Sequence, residues 1–160
     1  MALLTQAAFD SRWAALQARY PYQFDKENIG HSMLPGWLGI AETLFSGVDA
    51  ILSDVEKRRF GWVQLKEKFG GLRAYWEAGP VSVDIMTDEG LIRTKHRRAG
   101  RRGFVEPTVR AICELVEIAE EASIRTCCFC GEPGERRKGS WILTLCDECS
   151  KRRSEFAEQP

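Results

Sequence analysis

An α+β fold, with helices around a small antiparallel sheet and a four-cysteine zinc ribbon at its C-terminal end, is predicted by three features of this 160-residue sequence. Cys127, Cys130, Cys146 and Cys149 form two C-x-x-C pairs with fifteen residues between them. The stretch "FGWVQLKEKFGGLRAYWE" alternates apolar and polar residues on either side of a glycine pair, as a β-hairpin does. Before and after it, apolar residues recur at helical spacing. A chain of this length, 44% hydrophobic and 29% charged, can bury one core without cross-links.

The elements follow in order. Phe9, Trp13, Leu16 and Tyr20 lie three and four residues apart, so residues 5–20 read as a helix capped by Thr5 and stopped by Pro21. From Pro21 to Gly36 turn residues sit beside aromatics and the chain reads as irregular, with His31 as a hydrogen-bonded loop histidine. Helical spacing resumes from Trp37 to Phe45 and from Val48 to Val55, interrupted at Ser46 and Gly47, which gives two helices or one broken helix. In the hairpin, Val63, Leu65 and Phe69 stand opposite Lys66 and Lys68, and Leu72, Ala74 and Trp76 alternate with Arg73, Tyr75 and Glu77. Gly70 and Gly71 supply the positive φ angles that a primed turn requires. "VSVDIM" and "GLIRT" around "TDEG" give a second, weaker hairpin. Pro107 opens a last long helix with Val109, Ile112, Cys113, Val116 and Ala119 on one face and Glu114, Glu117 and Glu121 on another. Cys113 reads as a small buried hydrophobe.

Two C-x-x-C turns aim four sulfurs at the corners of one tetrahedron, which is the donor set of a zinc ion held for structure. One Zn2+ per chain is expected, on Cys127, Cys130, Cys146 and Cys149. Four thiolates close the shell and leave no position for a reactive water, so the site reads as structural. Cys128 is out of step with the pairs and reads as a spacer with a free thiol. Gly131 and the "GEPG" turn follow the first pair, "ERRKG" makes a basic tip, and the alternation of Trp141, Leu143 and Leu145 reads as a strand returning to the second pair. The organisation expected is a body over residues 1–124 with a ribbon over residues 125–160 packed on the preceding helix.

Charge is local. Lys and Arg balance Asp and Glu at 23 each, and the pI is near 6.7, so no global field draws the molecule to DNA or anionic lipid. Residues 93–103, "RTKHRRAGRRG", hold six Lys or Arg and no acid, against nine versus twelve in residues 1–92 and eight versus eleven in residues 104–160. Arg93, Lys95, Arg97, Arg98, Arg101 and Arg102 therefore form a basic arm, read either as a phosphate-contacting element or as a solvated connector. Pairing with the acidic stripe that follows would neutralise part of this charge and mute the arm without fixing it, at about 0–1 kcal/mol for each exposed pair. The N-terminal stretch has no signal-peptide pattern and no apolar run is long enough to span a bilayer, so a soluble, cytoplasmic protein is expected. Six cysteines in such a compartment point to metal binding rather than disulfides.

The blocks "QLKEKFGGLRAYWE" and "AEEASIRTCCFCGEPGERRKGSWILTLCDEC" together resemble a family of small bacterial and prophage proteins that join a "KEKFGGLR" block to a C-terminal zinc element. The resemblance covers Gln64 to Glu77 and Ala119 to Cys149, with a weaker match at Gly36 and Trp37. Residues 80–103 depart from the family pattern as an insertion. The resemblance implies an accessory protein of a mobile element acting in a bacterial host cell, and it implies no reaction.

Three functions follow for comparison. The first is a non-catalytic zinc-ribbon protein whose arm contacts nucleic-acid phosphates, with Trp62, Tyr75 and Trp76 available for stacking or, as large rings usually are, for the core. The second is a protein-binding inhibitor or adaptor, a counter-defence product that blocks a host anti-phage complex. The third is a hydrolase or nuclease, for which Asp84, Asp88 and Glu89 are the nearest acidic cluster. No nucleophile and base pair can be named for it, so no catalytic residue, no enzyme activity and no small-molecule substrate are expected.

Overall fold

The computed structural model of the chain describes residues 5–26, 30–78, 85–87, 90–92, 106–139 and 141–157. The basic arm lies outside the described residues, as do Asp84, Asp88 and Glu89. Helix α1 spans Gln6–Arg19 and starts where extended Thr5 accepts the Ala8 N–H through Oγ1 at 3.2 Å. It ends ahead of Pro21, which opens a 3-10 turn over Pro21–Gln23.

The stretch read as irregular contains a short strand, β1, at Gly30–Ser32. Helix α2, Leu38–Ile51, then runs unbroken through Ser46 and Gly47. The expected break is absent because Gly47 serves packing: a Cβ there would lie 3.0 Å from Leu115 Cδ2 on a neighbouring helix. A single turn, α3 at Asp54–Lys57, is fixed by a capping box between Ser53 and Glu56.

Strand β2, Phe60–Lys68, pairs antiparallel with β3, Gly71–Ala78, and parallel with β1, so the sheet is mixed with the order β1-β2-β3. The turn is centred on Phe69 and Gly70, with φ of 54° and 79°, one residue earlier than the glycine pair suggests. Gly71 belongs to the strand opposite Lys68, and it is small because a Cβ would meet Ile124 Cγ2 at 2.9 Å. Simple alternation also fails in β2. A register shift between Trp62 and Gln64 leaves Val63 as an extra residue, so Phe60 and Trp62 before it and Leu65 after it are all fully buried. Leu72 and Ala74 face the core beside them as expected.

Strands β4, Ile85–Thr87, and β5, Gly90–Ile92, pair antiparallel as the second hairpin. Helix α4, Glu106–Ser123, buries Val109, Ile112 and Ala119, while Cys113 is only half-buried and so falls short of the core position expected for it. Its last turns cover the open edge of β3. Ser123 Oγ accepts the Leu72 N–H at 2.8 Å, and Glu120 accepts the Ala74 N–H at 3.3 Å while pairing with Arg73 at 3.4 Å. Two short strands, β6 at Glu135–Arg137 and β7 at Leu143–Leu145, and helix α5 at Asp147–Ala157 complete the chain. The first residues of the basic tip are thus strand.

Aromatic rings fill the space between α1, α2 and the sheet, with Phe60 on Trp62 at 5.1 Å and Phe24 on Phe45 at 5.3 Å between centroids. Gln23 is fully buried among them. Its Oε1 accepts the Trp62 indole N–H at 2.8 Å and its Nε2 donates to Phe45 O at 2.9 Å. His31 differs from expectation: it lies on β1 beside Phe24 and Trp13, and both buried ring nitrogens lack a hydrogen-bond partner. Burial therefore lowers its pKa.

Candidate metal centre

Local backbone chemistry builds each half of the cysteine cluster. After Cys127 the chain reverses at once: the Gly131 N–H donates to Cys127 O at 2.9 Å and the Cys127 N–H to Glu132 O at 2.7 Å. Gly131 takes φ of 81°, which only glycine adopts freely, and a Cβ on it would come within 3.1 Å of Gly36 O. The second half is a helix start. Cys146 precedes α5, its sulfur accepts the Cys149 N–H at 3.4 Å, and the Ser150 N–H donates to its carbonyl at 2.9 Å.

The two halves meet. The sulfurs of Cys127, Cys130, Cys146 and Cys149 lie within 4.8 Å of one another, and those of Cys130 and Cys146 are 3.6 Å apart. Cys127 and Cys149 are buried and the other two half-buried, so the cluster is a closed cage facing inward. Cys128 points elsewhere, fully buried in the core and outside the cluster. None of the six cysteines is in a disulfide.

The electrostatics are those of thiols crowded against one another. Burial pushes Cys127 up, yet the backbone N–H groups of Cys130, Cys146 and Phe129 outweigh it and leave that thiol at about 7. Burial pushes Cys130 and Cys149 up, and the neighbouring sulfurs push them further. Cys128 is pushed up to about 12 by burial and by the charge of Cys127. Four such sulfurs carry their charges together only around a cation, and the arrangement is fit to hold one metal ion.

What positions the cage was not read from the cysteines. Gly36 packs against the backbone of Cys127 and Cys128, its N–H donates to Cys128 O at 2.8 Å, and the Trp37 indole donates to Thr126 O at 3.0 Å. A side chain at 36 would collide with the Cys127 carbonyl. On the other side, Thr144 is buried and its hydroxyl donates to Gly70 O, while the Trp141 indole donates to Glu67 at 2.7 Å. The 3-10 turn at Pro35–Trp37 and the hairpin tip therefore grip the ribbon from two sides. The only sequence signal was the glycine before Trp37 in an otherwise apolar stretch.

Of the other candidates, Trp62 is fully buried and Trp76 half-buried, so both belong to the core, whereas Tyr75 is 45% exposed. Arg93, Lys95, Arg97, Arg98, Arg101 and Arg102 lie outside the described residues. No described helix is long and apolar enough to cross a membrane. No family model, curated protein or solved structure matches the chain.

Proposed function

We propose that the protein is a non-catalytic nucleic-acid-binding module braced by one zinc ion, working in the cytoplasm of a bacterial host as an accessory protein of phage type. The observation that carries the metal assignment is the sulfur cage. A zinc–sulfur bond of about 2.3 Å sets tetrahedral sulfur separations of about 3.8 Å. The 3.6 Å between Cys130 and Cys146 and the 4.8 Å limit on the whole set suit that shell. Four thiolates favour zinc over the oxygen-preferring cations, and when bound it supplies charge neutralisation and a cross-link. Cys127, Cys130, Cys146 and Cys149 would hold it.

Nucleic-acid binding is supported by the arm's six cations over residues 93–103, in a chain of zero net charge. Phosphates would be met there by Arg93, Lys95, Arg97, Arg98, Arg101 and Arg102, giving affinity with little sequence preference. A salt titration tests the reading. Binding to a labelled oligonucleotide should weaken steeply with salt, and changing Arg97, Arg98, Arg101 and Arg102 to Ser should flatten the log–log slope by about 0.7 per lost contact on single strands or 0.9 on duplex. An unchanged slope would remove the arm from the interface. Absence of binding at low salt would end the nucleic-acid reading.

A further inference from the structure

Phe69 holds the first central position of the β2–β3 turn at φ 54°, a conformation that strains any residue with a Cβ and that Asn, Asp or Gly usually fills. Its ring is 61% exposed, so packing within the chain does little to offset the strain. The fold gains little from a strained phenyl group in water, and the groups around it indicate another use.

Lys68 Nζ stands 5.5 Å from the Phe69 ring centroid, and Lys66 Nζ stands 5.4 Å from that of Tyr75, itself 45% exposed. Gln64 is opposite Tyr75 and Lys66 opposite Arg73, so Tyr75, Lys66 and Lys68 share one face of the hairpin, with the lysines about 7 Å apart along the strand. Round the tip, Trp141 adds a third ring, 63% exposed and pinned by Glu67, and the Arg136 side chain runs alongside Gly70. Acidic groups here are engaged. Glu67 accepts from the Gly70 N–H at 2.7 Å and from Trp141, and Glu120 pairs with Arg73. Lys66, Lys68 and Arg136 have no acidic partner among the described residues.

We infer that this hairpin tip binds single-stranded nucleic acid, with Phe69, Tyr75 and Trp141 stacking on bases and Lys66, Lys68 and Arg136 meeting phosphates. The inference rests on the nucleic-acid reading above and names a surface separate from the arm. Rings flanked by ammonium groups suit a ligand that alternates π faces with negative charges. An unpaired strand offers both, whereas a duplex hides its base faces within the stack. Every base has a π face, so this surface tolerates sequence.

The test uses the full metal-loaded chain with labelled oligo-dT, oligo-rU and a duplex of equal length. Phe69→Asn removes the ring and supplies a residue the turn prefers, so its melting temperature should match or exceed that of the wild type. Tyr75→Thr keeps a strand-forming residue. Each variant should lose about tenfold in single-strand affinity with an unchanged salt slope, because no charge is removed. Lys66→Ser combined with Lys68→Ser should instead flatten that slope by about 1.4. If the wild type binds single strands and both ring variants bind as tightly, the hairpin surface is overturned while the nucleic-acid reading stands. Equal affinity for duplex, with the ring variants unaffected, overturns it too. If the wild type binds no nucleic acid at low salt, the broader reading fails and takes this surface with it.

Discussion

In the aromatic core Gln23 is fully buried, and the chain itself supplies its partners, Trp62 and Phe45. In the ribbon Cys127 and Cys149 are nearly as deep, yet what surrounds their sulfurs is more sulfur. At Gln23 in the core the buried polar atoms are met by hydrogen bonds made on folding, whereas in the ribbon four clustered sulfurs can ionise together only around a cation. The two are not separable modules. Cys127, Cys128, Leu145 and Cys149 belong to the same buried cluster as Trp37, Phe45 and Trp62. The stability of the aromatic core is therefore expected to depend in part on a ligand bound at its rim.

Breaking the cage tests that dependence and should give the largest effect. Cys146→Ser is expected to abolish metal loading and to destabilise the whole chain by more than about 4 kcal/mol, the range that loss of a structural metal reaches. Metal per chain and thermal melting check it, and unchanged metal content would overturn the ligand assignment. Cys128→Ser is the control, expected to retain the metal and the fold because its sulfur is outside the cage. Loading should also weaken as pH falls, since protons compete with the metal for the thiolates.

The core supplies the second test. Gln23→Leu leaves the buried Trp62 indole N–H without its acceptor, at a cost of about 1–3 kcal/mol, while the Phe45 carbonyl keeps its place in the α2 ladder. Metal content should hold while the melting temperature falls. Loss of metal in this variant would show that the coupling runs from core to rim as well.

Sequence pattern reached the two regions unequally. The four-cysteine cluster was legible because each C-x-x-C pair is local and its spacing alone brings two sulfurs together. Its docking was not, because Gly36 meets Cys128 and Glu67 meets Trp141 across long stretches of chain. The α1 cap at Thr5 followed from residue type, and periodicity found the buried Val109, Ile112 and Ala119 of α4 while overstating Cys113. Strand β1 was missed because three residues carry no period, and the bulge at Val63 was missed because alternation assumes one residue per pleat. The turn was placed one residue late because nothing in a phenylalanine announces positive φ.

A smaller effect separates the two glycines of the hairpin. Gly70→Val places a branched side chain at φ 79° and against Thr144 and Arg136, whereas Gly71→Val keeps an ordinary strand conformation and is crowded chiefly by Ile124, with a Cβ 2.9 Å from its Cγ2. Gly70→Val should cost about 1 kcal/mol or more. Gly71→Val should cost less, to the extent that Ile124 gives way. Calorimetry on both variants ranks them, and equal losses would mean that crowding rather than backbone strain sets the value of Gly70.

The smallest effect belongs to His31, a half-buried residue packed against the aromatic core whose two ring nitrogens are both buried and unpartnered among the described residues. Burial lowers its pKa below the ordinary 6.5, so the folded ring resists a proton that the unfolded ring accepts. As pH falls through 6.5 the unfolded state binds more protons than the native state, and stability drops until the folded ring titrates in turn. His31→Phe removes that difference and keeps an aromatic ring beside Phe24 and Trp13. The variant should match the wild type near neutral pH and lose less stability on acidification. Glu77 works in the opposite sense: burial raises its pKa, so it costs stability as pH climbs above 4.5. Because Glu77 is present in both chains, subtracting the two stability-against-pH curves isolates the histidine. A flat difference across the acid limb would mean that the ring finds a proton acceptor or water in solution, and that the aromatic core meets its polar needs as fully at His31 as it does at Gln23.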